Sequence, residues 1–419
     1  MITTIPRGAG RAATPDKYLA LALILVLLRG QPAAAEVKLT PFATVDLQHN
    51  SNLFALSPAE YSKVTQPGDT TTEYIVGMSN LFSWGLDKVT LNAEGRRFEY
   101  DAHSSVNHYE YAASGTANLQ FTPILGAIVF YTQTRNVLPF ADALSPQLNL
   151  DTERAGEARL QVLLTPVWRL DLFPQWHESD TPLPQYPEFH LHEAGGGLGM
   201  NYLGIAKVTA GLELNYASGI YSGITAATKY NQETAQLTAL YRVTGFSDFS
   251  GRLGYTTRDS QFNPGGSVVL ASGANIVGDT AGQVGKTSTV TGNISYTRQL
   301  TSKTTVALAA FRNIESYVAG ANSEVGTGAN VDVRWSPDSK FTFDLTGGYE
   351  HDAIEGGLAI ANAFDRSDRI KFVKLDLKYA VLSWLEVHPH VSYQDRASSL
   401  AIANYSSTVV GIKVIGRLE

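Results

Sequence analysis

The chain has 419 residues, 44% of them hydrophobic and 17% charged, with a formal net charge of −7. An acidic balance of this size argues against nucleic acid as a partner, which would demand basic patches. Cysteine is absent, which excludes a disulfide framework and any thiolate metal site.

Residues 18–28 form an apolar run that is too short to span a membrane as a helix, which takes about 20 apolar residues. The run follows Arg7, Arg11 and Lys17 and leads through Pro32 to Ala33-Ala34-Ala35 before Glu36. A basic start, an apolar core and a small-residue site together read as a secretory signal peptide over 1–35, cut after Ala35. Without it the balance is 28 basic against 38 acidic residues, a net charge of −10. Residues 36–419 are expected to form a single outer-membrane β-barrel domain, reached by crossing the envelope.

From residue 36 onward apolar and polar residues alternate in runs separated by turns. Strands are predicted near 38–49, 71–83, 87–100, 106–121, 125–138 and 153–165. More follow near 167–179, 189–203, 205–218, 229–243, 247–259 and 285–300. The last six are near 304–317, 326–336, 339–351, 368–381, 385–396 and 404–418. The fold class expected is an all-β, transmembrane, antiparallel up-and-down β-barrel of about eighteen strands, sixteen if one hairpin is miscounted.

Every second connection is tight: Trp84-Gly85-Leu86, Pro123-Ile124, Pro166, Leu203-Gly204, Gly245-Phe246, Ser302-Lys303, Pro337-Asp338 and Ser383-Trp384. The others, including 50–70, 139–152, 180–188, 219–228, 260–284 and 352–367, are longer and richer in turn-forming residues. Short periplasmic turns and long extracellular loops are the asymmetry of an outer-membrane barrel. A soluble sandwich would split into domains, and a β-helix would repeat every 20–30 residues or so.

Alternation sorts the faces. In residues 340–349, Phe341, Phe343, Leu345 and Tyr349 oppose Thr342, Asp344 and Thr346. Trp168, Leu170, Leu172 and Trp176 oppose Arg169, Asp171, Gln175 and His177. A Lys or Arg facing lipid at the midplane costs about 2–4 kcal/mol, so the charged parity belongs inside. The expected lumen-lining residues are Arg96, Arg159, Arg169, Asp171, Arg242, Asp332, Arg334, Asp344, Lys374, Asp376, Lys378, His388 and His390, with Glu94 and Glu386 beside them. A barrel of this strand number encloses an aqueous channel. Mixed signs favour ion-pair ladders over a ring selective for one charge.

Catalytic and metal readings are weighed at His177, Glu178 and Asp180, at His190, His192 and Glu193, and at the His388/His390 pair. Paired imidazoles could hold a metal if carboxylates joined them. No triad geometry is encoded, and phosphate-loop, dinucleotide and zincin motifs are absent. These histidines are read as wall residues, the chain as no enzyme, and no cofactor is expected. Trp168, Trp335 and Trp384, near turns, are read as interfacial belt. Phe173 is a candidate by parity for stacking on sugar.

Residues 42–56 run Phe-Ala-Thr-Val-Asp-Leu-Gln-His-Asn-Ser-Asn-Leu-Phe-Ala-Leu. This strand into an Asn-Ser-Asn-Leu-Phe turn resembles the opening of EpsL-type outer-membrane barrel porins linked to exopolysaccharide biosynthesis operons. Arg97-Phe98-Glu99-Tyr100 and Gln133-Thr134-Arg135-Asn136 extend the resemblance more loosely. It implies a part in polysaccharide secretion, with no catalytic residues to carry over. The chain departs from the common aromatic ending of such barrels, closing on Leu418-Glu419. The alternatives are a general small-solute porin and a structural or adhesive barrel that binds partners through its loops, especially 260–284. The partners expected are outer-membrane lipid and lipopolysaccharide, the barrel-assembly machinery, polysaccharide and periplasmic export proteins.

Overall fold

The computed structural model describes residues 36–143, 146–181, 189–222, 227–262, 267–269, 275–277, 284–315, 323–355 and 366–418. The predicted signal peptide lies outside them. The strands are β1 (Glu36–Asn50), β2 (Asp69–Trp84), β3 (Asp87–Tyr100), β4 (His108–Thr122), β5 (Leu125–Val137) and β6 (Leu150–Thr165). Next come β7 (Trp168–Thr181), β8 (Phe189–Ile205), β9 (Val208–Ser222), β10 (Ala227–Thr244) and β11 (Ser247–Phe262). A small hairpin, β12 (Ser267–Val269) and β13 (Asn275–Val277), stands apart within the predicted loop 260–284. The set ends with β14 (Val284–Thr301), β15 (Thr304–Glu315), β16 (Ser323–Trp335), β17 (Phe341–Glu355), β18 (Arg366–Leu382), β19 (Leu385–Ser398) and β20 (Tyr405–Arg417).

Eighteen of these strands pair antiparallel with their neighbours in sequence order. The sheet closes because β1 pairs with β20 as well as with β2, Phe42 opposite Arg417 and Asn50 opposite Val409. Closure leaves no unpaired edge, the condition for a sheet to stand in a bilayer. No helix among the described residues is long and apolar enough to cross a membrane.

Exposure runs opposite to that of a water-soluble protein. In β1, Val45 and Leu47 are 45% and 47% exposed, while Thr44 and Asp46 are 5% and 3% exposed. The same inversion holds at Leu172 against Asp171 and at Ile412 and Val414 around Lys413. Apolar side chains so exposed on most of the strands belong in lipid, with the polar parity turned inward.

Seven of the tight connections are two residues long, and the link from β16 to β17 covers 336–340. At one of them Gly85 adopts φ +58°, a left-handed conformation that glycine reaches without Cβ strain. One predicted turn is displaced. The β8–β9 reversal lies at 206–207 rather than at Leu203-Gly204. The pairing there shifts register between Tyr202 and Ile205, so a bulge absorbs the two residues. The Leu203 amide is held by the Val167 carbonyl at 2.8 Å.

The long-loop end carries a small core of its own. Phe54, Leu56, Val106 and Phe140 cluster from three connections, 51–68, 101–107 and 138–149, the last containing the short helix α1 (Phe140–Ala143). Phe54 meets the ring of Phe140 edge-on at 4.9 Å. Buried Asn52 staples this cap: its Nδ2 donates to the Leu56 and Ser406 carbonyls, and its Oδ1 accepts from the Leu56 amide. Ala55 in the left-handed region makes the reversal between Phe54 and Leu56. Asp69 ties the second loop down, accepting from the Ala102 and His103 amides at 3.0 and 2.9 Å. Asn52 and Phe54 thus hold the cap together from within the Asn-Ser-Asn-Leu-Phe segment.

Candidate functional site: the inner wall

Arg159 is the centre of the first polar network. Its Nε donates to Glu157 Oε1 at 3.0 Å, and its Nη1 to Glu213 Oε1 at 2.9 Å, with Asp171 Oδ2 at 3.5 Å. Asp171, fully buried, accepts both Arg169 Nε (2.7 Å) and Arg169 Nη2 (2.9 Å), and also Asn201 Nδ2 (3.0 Å). Gln236 Nε2 donates to the other oxygen of Glu213 at 2.8 Å. The network therefore runs over β6, β7, β8, β9 and β10.

Arg159 on β6 and Glu213 on β9 are three strands apart. At about 4.8 Å per strand the backbones are separated by roughly 14 Å along the sheet. The two side chains meet because they converge from a concave wall. The same convergence joins the second network. Glu386 binds Lys378 Nζ at 2.8 Å and Arg417 Nη1 at 2.5 Å, and His388 Nε2 lies 3.3 Å from its Oε2. His388 Nδ1 is 3.2 Å from Asp376. Asp46 lies 3.5 Å from Lys413 Nζ and 3.9 Å from His390 Nε2. Across β2 and β3, Arg96 pairs with Glu94 and stands 3.8 Å from Glu73.

Between these networks a concavity of about 540 Å³ is lined by Thr305, Asp332, Arg334, Asp344, Lys374 and Asp376. Asp344 and Asp376 are directly opposite each other, an unfavourable like-charge pair. Each is compensated from its far side, Asp344 by Arg334 Nε at 2.6 Å and Asp376 by His388. Asp332 accepts from Thr346 at 2.6 Å and from Asn330 at 2.9 Å. Lys374 makes no ion pair among the described residues.

Twelve of the thirteen predicted lining residues thus fall into these two networks and the concavity between them. Arg242 does not. It is exposed beside the tight turn, 3.9 Å from Asp248. Glu213, Asn201, Gln236, Asp46, Glu73, Lys413 and Arg417 were not predicted. Their parity was readable, as in Leu212-Glu213-Leu214, but their partners were not, because those lie one to three strands away.

Two readings are corrected. Phe173 is only 3% exposed, with the Arg159 guanidinium 4.2 Å above its ring, so it offers no face to a sugar. The histidine and carboxylate cluster near residues 177–193 is divided by the wall. Glu178, Asp180, His190 and His192 share the outer face with Arg154, whose Nη1 reaches Glu178 at 3.4 Å and Asp180 at 3.3 Å. His190 Nδ1 is 2.6 Å from Asp180, and His192 Nδ1 is 3.2 Å from Glu178. His177 and Glu193 take the opposite parity. Charges on the outer face are tolerable here because their cost falls to about 0–1 kcal/mol near the interface. Among the described residues no three His, Asp or Glu side chains converge as metal ligands. Both ring nitrogens of His388 already face carboxylates.

Trp168, Trp335 and Trp384 are 42%, 45% and 51% exposed at the tight-turn end. Trp335 stacks on Phe343 at 5.0 Å and Phe341 on Tyr379 at 4.6 Å, the aromatic girdle of a barrel at an interface.

The comparisons agree with this architecture. Residues 281–418 match the family model described as "Putative beta-barrel porin 2". The copper transporter OprC superposes with a TM-score of 0.50 at 10% identity, over 86% of this chain and 62% of its own. The chain therefore spans less than two thirds of that transporter, and the likeness concerns the fold. OpdK of Pseudomonas aeruginosa gives 0.46 at 11% identity, over 91% of this chain and 99% of its own. FrpB of Neisseria meningitidis gives 0.47 at 9% identity, over 85% and 62%. No curated protein matches. The fold is that of outer-membrane porins and transporters.

Proposed function

We propose that this barrel is an outer-membrane passage taking part in exopolysaccharide secretion. The observation that carries the reading is a closed eighteen-stranded wall whose inner face bears a polar network from β6 to β10 and successive polar and ion-pair clusters from β16 round to β3. A barrel of about 16–18 strands leaves an aqueous channel, and a hydroxyl-rich polymer moving through it exchanges water for these donors and acceptors. The resemblance of residues 42–56 to EpsL-type porins supplies the cargo. Arg96, Arg159, Arg169, Asp171, Arg242, Asp332, Arg334, Asp344, Lys374, Asp376, Lys378, His388 and His390 line the passage in this proposal. No catalytic step is assigned. Lipopolysaccharide would surround the loop end, and periplasmic export proteins would meet the tight-turn end.

Cells lacking the protein should secrete less polymer and accumulate it in the periplasm. Unchanged secretion with an empty periplasm would sink the reading. A second reading, a general small-solute porin, is supported by the porin family model over residues 281–418. Open conductance in planar bilayers, together with unchanged polymer secretion in the deletion, would favour it. The adhesive reading centres on loop 260–284, of which little beyond the β12–β13 hairpin is described.

A further inference from the structure

We propose that Phe130 and the Arg159 network beside it form a binding step for uncharged sugar rings on the inner wall. The inference rests on the polysaccharide-passage reading and names where that passage grips its cargo.

Phe130 lies on β5, directly opposite Thr116 on β4 and Glu157 on β6. Glu157 shares the parity of Arg159, and the flanking Leu160 and Leu164 show that the other parity faces outward. Phe130 therefore turns its ring inward, and it is 40% exposed. Two other aromatic rings on this wall lie under cations. Phe173 lies under Arg159, and Tyr230, 2% exposed, lies under the Arg258 guanidinium at 3.5 Å. No ring or cation among the described residues covers Phe130.

An apolar ring left bare among charged groups matches a sugar in chemistry and shape. The C–H face of a pyranose packs on the ring, as apolar and weakly positive C–H groups do on a π-face. Its equatorial hydroxyls then point sideways, toward neighbouring polar groups. Glu157, the residue opposite, holds Arg159 with one oxygen, and no described group engages the other. Beyond Arg159 the track continues into a concavity of about 280 Å³ lined by Glu213, Thr238, Leu240, Arg252 and Asn293. Leu240 is 39% exposed there and offers a second apolar patch, flanked by the Arg252–Asn293 hydrogen bond at 2.9 Å.

The charges select for neutral sugars. Around Phe130 itself Arg159 and Arg169 are engaged by Glu157, Asp171 and Glu213, so this network carries one carboxylate in excess, while Arg252 further along bonds the neutral Asn293.

The test uses the full-length barrel, with maltohexaose as neutral probe and an oligogalacturonate of equal length as acidic probe. Current block in planar bilayers and calorimetric titration in micelles are both measured. Maltohexaose should bind the wild type more tightly than the oligogalacturonate does. Phe130→Ala should shorten the block and raise Kd at least tenfold, and Phe130→Trp should restore binding, which excludes loss through misfolding. Equal maltohexaose binding by wild type and Phe130→Ala would overturn this inference and leave the passage reading standing. Tighter binding of the acidic probe would overturn the selectivity. Absence of binding by either probe to the wild type would remove the passage reading along with it.

Discussion

On the inner wall, β16 to β20 and β1 to β9 present charge, whereas mid-wall β10, β11 and β14 present mainly hydroxyls. In the charged arc several carboxylates depend on a particular guanidinium, amine or imidazole on another strand, as Glu213 does on Arg159 and Glu386 on Arg417. In the hydroxyl arc, Thr234, Thr256 and Thr291 share hydrogen bonds of 3.0 and 2.7 Å across three strands, and Ser250 meets Ser295 at 2.6 Å. A hydroxyl both donates and accepts, so identical neighbours satisfy one another. A two-residue slip would leave such a ladder largely intact, whereas it would separate Arg159 from Glu213. Charge therefore specifies register on one side of the barrel, and hydroxyls form a neutral, forgiving wall on the other.

The largest effect is expected at Asp171. Asp171→Leu strands Arg169 and weakens the hold on Arg159 in a buried setting, where removing one partner costs about 3–5 kcal/mol. Urea unfolding in micelles, followed by heat-modifiable gel migration, should show that loss. A cost under about 1 kcal/mol would mean that water replaces the carboxylate.

Thr256→Val is the matching cut in the hydroxyl arc, where Thr234 and Thr291 both lose their partner. At about 0.5–1.5 kcal/mol per hydrogen bond, two lost bonds should register roughly 1–3 kcal/mol in the same assay. A loss equal to that of Asp171→Leu would erase the distinction between the arcs. The exposed pair Arg334–Asp344 lies in the charged arc but is solvated, so a double-mutant cycle with Arg334→Gln and Asp344→Asn should return only about 0.2–1 kcal/mol of coupling.

The smallest effect is expected outside the wall. Asp338, in the link from β16 to β17, accepts from the Lys340 and Phe341 amides at 2.7 and 2.9 Å. These bonds hold its carboxyl below the usual aspartate range. A carboxylate so lowered adds stability above its unfolded value near ~3.9, and that stability is lost as pH falls through the lower folded value. Asp338→Ala should therefore shift the urea midpoint slightly at pH 7 and leave it unchanged near pH 2. An equal shift at both pH values would assign the effect to the turn backbone.

Much of the fold was readable because a strand's side chains alternate with period two whatever surrounds it. Each of the eighteen strands announced itself by parity, and residues 340–349 place Phe341 and Leu345 outside and Asp344 inside. The misplaced turn at Leu203-Gly204 shows the limit, since Gly204 looks like a reversal and only the pairing with β7 and β9 makes it a bulge. For the site, parity identified Arg159 and Asp171 as wet residues. It assigned the same status to Phe173 as to any inward ring, and could not show that a guanidinium covers it. Closeness in sequence grouped Glu178 with His177, although successive residues of a strand face opposite sides of the wall.

The sequence alone carried the alternation, a strand number of about eighteen with sixteen still open, the inequality of the two ends and the mixed charge of the wet face. All of these are local, carried by backbone geometry and turn chemistry. The tertiary structure decided which charges meet, because closing the sheet curves the wall until β6 and β9 side chains touch. It also gathered Phe54, Val106 and Phe140 from three separate loops into one cap. Curvature and closure, rather than any local residue pattern, bury Phe173 and leave Phe130 bare.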